Sequence, residues 1–216
     1  MTSLFRLFAS LALAAALPSI AAAAEDGKGE NLLVFVGQKI ALTKQPPPRC
    51  DNCIIVMDEH YVARYRILDT VYGNYRGGTI DFDVYDHYGV PAFSTYDTVL
   101  LFVSRQQDGS WVHEKYQFYD LYKDADGEWY GCGDPYRGAP QPPGAVRARP
   151  VEFAAPVSYP LDGIPAKRIA KTYPAGYFEI RDGRAYCLKG APVQDLFEAK
   201  KQTVLAARGI FKQAGK

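Results

Sequence analysis

Tyr61-Val62-Ala63-Arg64-Tyr65-Arg66-Ile67-Leu68 and Thr79-Ile80-Asp81-Phe82-Asp83-Val84-Tyr85 decide the fold class. Both stretches alternate with period two, the signature of half-buried strands. Tyr61, Ala63, Tyr65 and Ile67 share one face of the first, and Ile80, Phe82 and Val84 share one face of the second. The connection from Val71 to Gly78 contains Gly73, Gly77 and Gly78 and turns the chain back, so the two stretches form an antiparallel hairpin. A one-residue slip would set apolar side chains opposite charges, so only registers that keep the faces survive. The expected register opposes Ile67 to Ile80, Tyr65 to Phe82 and Ala63 to Val84 inside, with Arg66 opposite Asp81 and Arg64 opposite Asp83 outside. Shifting it by two residues keeps the faces but loses at least one charge pair. The same register sets His60 opposite His87.

Leu32-Leu33-Val34-Phe35-Val36 before the hairpin and Thr98-Val99-Leu100-Leu101-Phe102-Val103 after it are continuous apolar runs of strand length. Asp108-Gly109 and Asp126-Gly127 are two-residue hairpin signals that frame strands at Trp111 to Tyr119 and at Trp129-Tyr130. Five or six strands with short turns predict a mainly β (α+β) protein: a small antiparallel barrel or sandwich over residues 25–137. Six prolines from Pro140 to Pro160 make 138–165 a crossing segment. Residues 166–216 read as an added hairpin around Asp182-Gly183 and an amphipathic helix carrying Val193, Phe197, Val204, Ala207 and Phe211, packed on the β domain.

Residues 1–24 read as a secretory signal peptide, with Arg6, an apolar core Leu7 to Leu17, and Ala22-Ala23-Ala24 before Glu25. Cleavage there removes 24 of 216 residues, leaving 192 with 24 basic and 24 acidic side chains, since Arg6 is the one charge lost. The expected product is periplasmic or secreted. Its neutrality argues against nucleic acid, and no second segment of membrane-spanning length follows. With 48% hydrophobic and 13% aromatic residues over its 216 positions, the whole chain has enough apolar surface for a core.

An oxidising compartment turns Cys50, Cys53, Cys132 and Cys187 into expected disulfides, with three possible connectivities. Cys50-Asp51-Asn52-Cys53 has the spacing of a thiol-disulfide site, but a triple proline before it and Ile54-Ile55-Val56 after it favour a structural role. His60 and His87, each beside an acid (Glu59, Asp86), are the candidate metal ligands. No ligand-spacing motif accompanies them. Asp124-Ala125-Asp126-Gly127 opens like a calcium loop but has Pro135 at its twelfth position, so it reads as a turn. The 16 tyrosines suit both strand packing and a binding surface.

Between Val34 and Gln117 the order of strands, with Val34 to Ile40 first, Tyr61 to Tyr75 alternating into a glycine and aromatic turn, and Thr98 to Ser104 late, resembles the netrin-like, tissue-inhibitor-of-metalloproteinase type of OB-fold. The resemblance implies a small barrel with peripheral helix and disulfides, used for binding. Those inhibitors act through a cysteine at the mature N-terminus, whereas here the first cysteine is Cys50, so that mechanism does not transfer. The expectation is an exported, soluble, non-enzymatic protein that binds a protein or small ligand and needs no cofactor. Its candidate surface is the polar face of Arg64, Arg66, Asp81, Asp83 and His87. The alternatives are a metal-dependent hydrolase around His60 and His87, or a thiol-disulfide protein using Cys50 and Cys53.

Overall fold

The computed structural model describes residues 28–47 and 57–211. Among these residues strands dominate, in a large, mostly antiparallel sheet accompanied by a small sheet and two α-helices. The first five strands are β1 (Leu32–Lys44), β2 (Glu59–Tyr72), β3 (Thr79–Asp86), β4 (Thr98–Arg105) and β5 (Trp111–Lys123). They lie in the order β3-β2-β1-β4-β5 with antiparallel neighbours. Asp83 of β3 also pairs in parallel with Val112 of β5, so the last strand of the set returns to the first.

Beyond β5 the chain makes β6 (Trp129–Cys132), β7 (Arg149–Pro150), β8 (Ser158–Pro160), α1 (Ala166–Thr172), β9 (Phe178–Arg181), β10 (Arg184–Cys187), β11 (Lys189–Pro192) and α2 (Val193–Lys200). The large sheet continues from β5 through β6 and β11 to β7, while β8, β10 and β9 form a separate three-stranded sheet. The proline-rich segment therefore contributes one strand to each sheet. Both are two or three residues long, as expected where prolines withhold amide donors.

The two continuous apolar runs are explained by burial on both faces, which removes the need for a polar side. Leu33, Phe35, Val99, Leu101 and Val103 join Tyr61, Ala63, Tyr65, Ile80, Phe82 and Val84 in one core. Leu32, Val34, Val36, Leu100 and Phe102 point the other way and pack on Leu196, Phe197 and Leu205 of the C-terminal helix. Alternate residues of β1 and β4 thus serve two cores. The helix begins directly after Pro192, has Asp195 in its first turn, and runs on through a π-helical turn, Lys201–Leu205.

The hairpin faces are as expected, but the register is displaced by two residues. Tyr65 is opposite Ile80, Ala63 opposite Phe82, Tyr61 opposite Val84, and Arg64 opposite Asp81. Side-chain volume gives a physical reason: the expected register opposes Tyr65 to Phe82, whereas the observed one sets small Ala63 against large Phe82. Tyr65 then meets Phe82 and Phe93 diagonally, with ring centres 5.7 and 5.9 Å away. His60 lies opposite Tyr85, so it does not face His87.

The turn chemistry divides in a similar way. At Asp182-Gly183 both residues have positive φ, 50° and 68°, the geometry of a tight hairpin turn joining β9 to β10. At Asp108-Gly109 only Gly109 does, at 87°, and its amide bonds the Gln106 carbonyl at 3.0 Å. That hairpin closes through a longer loop with one left-handed glycine. The strand after it reaches Lys123 rather than Tyr119.

Candidate functional site

On the polar face of β2 and β3, Asp81 and Asp83 are paired within the face. Arg64 donates through Nε and Nη2 to the two oxygens of Asp81, both at 2.7 Å, and the pairing pulls the Asp81 carboxyl below its ordinary range. His60 Nε2 bonds Asp83 Oδ1 at 2.6 Å and its ring stacks on Tyr85 at 4.7 Å. Arg66 is opposite Thr79 rather than Asp81, and is exposed. His87 Nδ1 meets the Met57 carbonyl at 2.6 Å. Each carboxylate of the predicted surface thus has its own cation or imidazole. Among the described residues no group of three or more His, Cys, Asp or Glu side chains is arranged to hold a metal. The two histidines proposed as metal ligands have separate protein partners.

A cleft of about 420 Å³ lies elsewhere, between the end of the large sheet and the small sheet with α1. That volume suits a small organic ligand. At its base Asp120 of β5 is buried, accepting from Tyr159 Oη at 2.5 Å and from Arg137 Nη2 at 3.2 Å. Burial and the Asp120 charge raise the Tyr159 phenol far above its usual value, so it stays neutral and donates. Burial, then Asp120, raise Tyr96 and Tyr173 as well. Tyr159 stacks against Tyr173 at 5.5 Å and 27°, and Tyr173 meets Phe178 edge to face at 5.1 Å. These rings form one wall. Arg168, Lys171 and Thr172 of α1 line the cleft beside them.

Arg137 is placed by a tight turn. Its φ of 50° is left-handed, which costs a non-glycine residue about 1 kcal/mol or more. Asp134 supports the turn: its carboxylate accepts from the Tyr136 amide at 3.0 Å and the Gly138 amide at 3.0 Å, and its carbonyl accepts from the Arg137 amide at 3.0 Å. Buried Tyr119 anchors the same turn by donating to the carbonyl of Pro135, two residues before Arg137. The Arg137 guanidinium lies over the Tyr119 and Phe118 rings at 4.7 and 5.3 Å. Lys200 lies over Tyr119 too, at 4.8 Å, and burial followed by repulsion from Arg137 and Arg208 pushes it down to about 7.

The Cys132–Cys187 disulfide, with Cα atoms 6.0 Å apart, ties β6, where Cys132 lines the cleft, to β10. It is one of the long bridges that the cysteine count allowed. Cys50 and Cys53 lie outside the described residues. Gly133 follows Cys132 with φ of 86°, and a Cβ there would sit 2.9 Å from the Phe178 ring, so only glycine lets that wall approach.

No family model, no curated protein and no solved structure matches this chain. The cleft residues Asp120, Arg137, Tyr159 and Tyr173 were not among the candidates read from sequence. The one local signal was Gly131-Cys132-Gly133-Asp134-Pro135, which marks the end of regular structure and proves to be the base of the Arg137 turn. Nothing periodic links Asp120 to residues that reach it from 17 and 39 positions along the chain.

Proposed function

We propose that this is an exported, non-enzymatic binding protein and that the cleft beside Asp120 is where it holds a small ligand. One observation carries this reading: a concave site of about 420 Å³ whose walls are aromatic and whose polar groups converge on a buried, fully partnered carboxylate. The strained backbone at Arg137 supports it, since such strain is retained where the presented side chain has work to do. The β1 to β5 arrangement, with its β3 to β5 return, supports an OB-like barrel as the platform. The netrin-like resemblance, read as an architecture for binding, agrees with it. Export rests on residues 1–24, and the Cys132–Cys187 disulfide is in keeping with an oxidising compartment. Among the described residues no helix is long and apolar enough to cross a membrane.

Titrating a panel of small soluble fragments into isotope-labelled protein tests the site. The expected amide shifts gather around Tyr96, Asp120, Gly133 to Gly138 and Tyr173. Saturable shifts confined to Arg64, Asp81 and Asp83 would overturn the proposal and restore the outer face.

A further inference from the structure

We infer that the cleft selects a small molecule carrying both a planar ring and a carboxylate or phosphate, an inference that rests on the cleft being the binding site. The charge of the lining points to an anion. Arg137 spends one terminal nitrogen on Asp120, at 3.2 Å, which is longer than a strong charge-assisted bond, and its side chain is 44% exposed. A guanidinium has five donors in its plane, and stacking on Tyr119 and Phe118 leaves that edge available for a forked contact.

Arg168 and Lys171 are three residues apart on α1 and so share one side of the helix. Both line the cleft, and no acidic partner is found for either among the described residues. Three cations therefore border a space whose acids, Asp120 and Asp134, are already committed to internal bonds. Arg64 on the outer face of β2 and β3 offers the opposite case, since its fork is filled by Asp81.

The ring is called for by the other wall. Tyr159, Tyr173 and Phe178 pack on one another there, stacked and edge-on, and the half-buried Tyr159 and Tyr173 give a flat ring contact at low entropic cost. Asp120 also sets the orientation. Its buried negative charge repels the anionic end, so the ring enters toward Tyr159 and the anion stays between Arg137 and the α1 cations.

The test is a calorimetric and chemical-shift titration with phenyl phosphate and benzoate, against phenol and inorganic phosphate. Phenyl phosphate is expected to bind about tenfold or more tighter than phenol or inorganic phosphate, and to weaken as salt is raised. Arg137→Met is expected to lose about tenfold in affinity, with Arg137→Lys intermediate because the fork is gone but the charge remains. Arg137 also holds the buried Asp120, so the double variant Arg168→Gln/Lys171→Gln, on exposed positions of α1, provides an independent reading with its fold checked by thermal melting. It is expected to lose affinity for both ring anions and none for phenol. If phenol binds the cleft as tightly as phenyl phosphate, the anion chemistry is overturned while the binding site stands. If inorganic phosphate binds as tightly, the ring requirement is overturned. If neither these probes nor the fragment panel shift any cleft resonance, the site itself is overturned.

Discussion

Two arginine–aspartate pairs in this protein have the same separation in sequence, 17 residues, and opposite characters. Arg64 and Asp81 lie across from each other on adjacent strands, exposed, with both carboxylate oxygens occupied. Arg137 reaches Asp120 from a strained turn, with one bond, over a carboxylate 9% exposed. The first pair is an outcome of strand pairing and completes itself. The second is held by tertiary structure and leaves donors facing a cleft. An open fork next to aromatic walls marks a place built for something else to bind, and a filled fork on a flat sheet does not.

The strongest way to break this contrast is to cut the disulfide. Cys132 and Cys187 close a loop with a separation of 55 residues, and losing that constraint costs about 4 kcal/mol in the chain-entropy model. Cys132→Ala/Cys187→Ala is expected to lower the unfolding free energy measured in urea by that amount and to shift resonances of Arg137 and Tyr173 more than those of Arg64. Equal disturbance of both regions would erase the distinction.

Acid separates the regions differently. His113, buried against Phe93 and bonded to the Gln117 carbonyl, is pushed down to about 4 from 6.5 by burial. Between those values the unfolded chain binds a proton that the folded chain refuses, so stability falls as pH drops through the window, by about 3 kcal/mol in all. Asp81 acts later and weakly: its lowered carboxyl contributes stability above 3.8 that is lost only as pH falls through its folded value. Denaturation curves from pH 7 to pH 3 are expected to show the large loss first, and His113→Asn to flatten it. A loss that begins only below pH 4 would show that the histidine is not the cause.

Two tyrosine-to-phenylalanine substitutions sharpen the comparison by having opposite signs. Tyr159→Phe takes a donor from the buried Asp120 carboxylate and is expected to cost about 2 kcal/mol. Tyr65→Phe removes a buried hydroxyl with no partner among the described residues, and is expected to stabilise by about 1 kcal/mol. Both are read by chemical denaturation, and a loss at Tyr65 would mean that its hydroxyl is satisfied. The smallest effect belongs to the sheet pair. Asp81→Asn is expected to change stability by less than about 1 kcal/mol and to leave phenyl phosphate binding untouched.

Much of the first pair and little of the second was legible in the sequence. Alternation along Tyr61 to Leu68 and Thr79 to Tyr85 gave the faces, because period two survives any even shift. The register itself turned on volume, Ala63 against Phe82, which charge counting does not weigh. The apolar runs Leu32 to Val36 and Thr98 to Val103 announced strands, and their lack of polar positions fits the burial of both faces, although only the folded chain shows that the C-terminal helix covers the second. The cleft has no such period. Its parts come from a strand, a turn, a proline-rich stretch and a seven-residue helix, and only the folded chain brings them within hydrogen-bond reach.

The most direct measurement follows the side-chain Nε resonances of Arg137 and Arg64 in one titration with phenyl phosphate, each assigned by its disappearance in the Arg137→Met and Arg64→Met variants. The Arg137 signal is expected to move to saturation while the Arg64 signal, with its fork filled by Asp81, stays where it is. Movement at Arg64 with Arg137 unchanged would contradict the account.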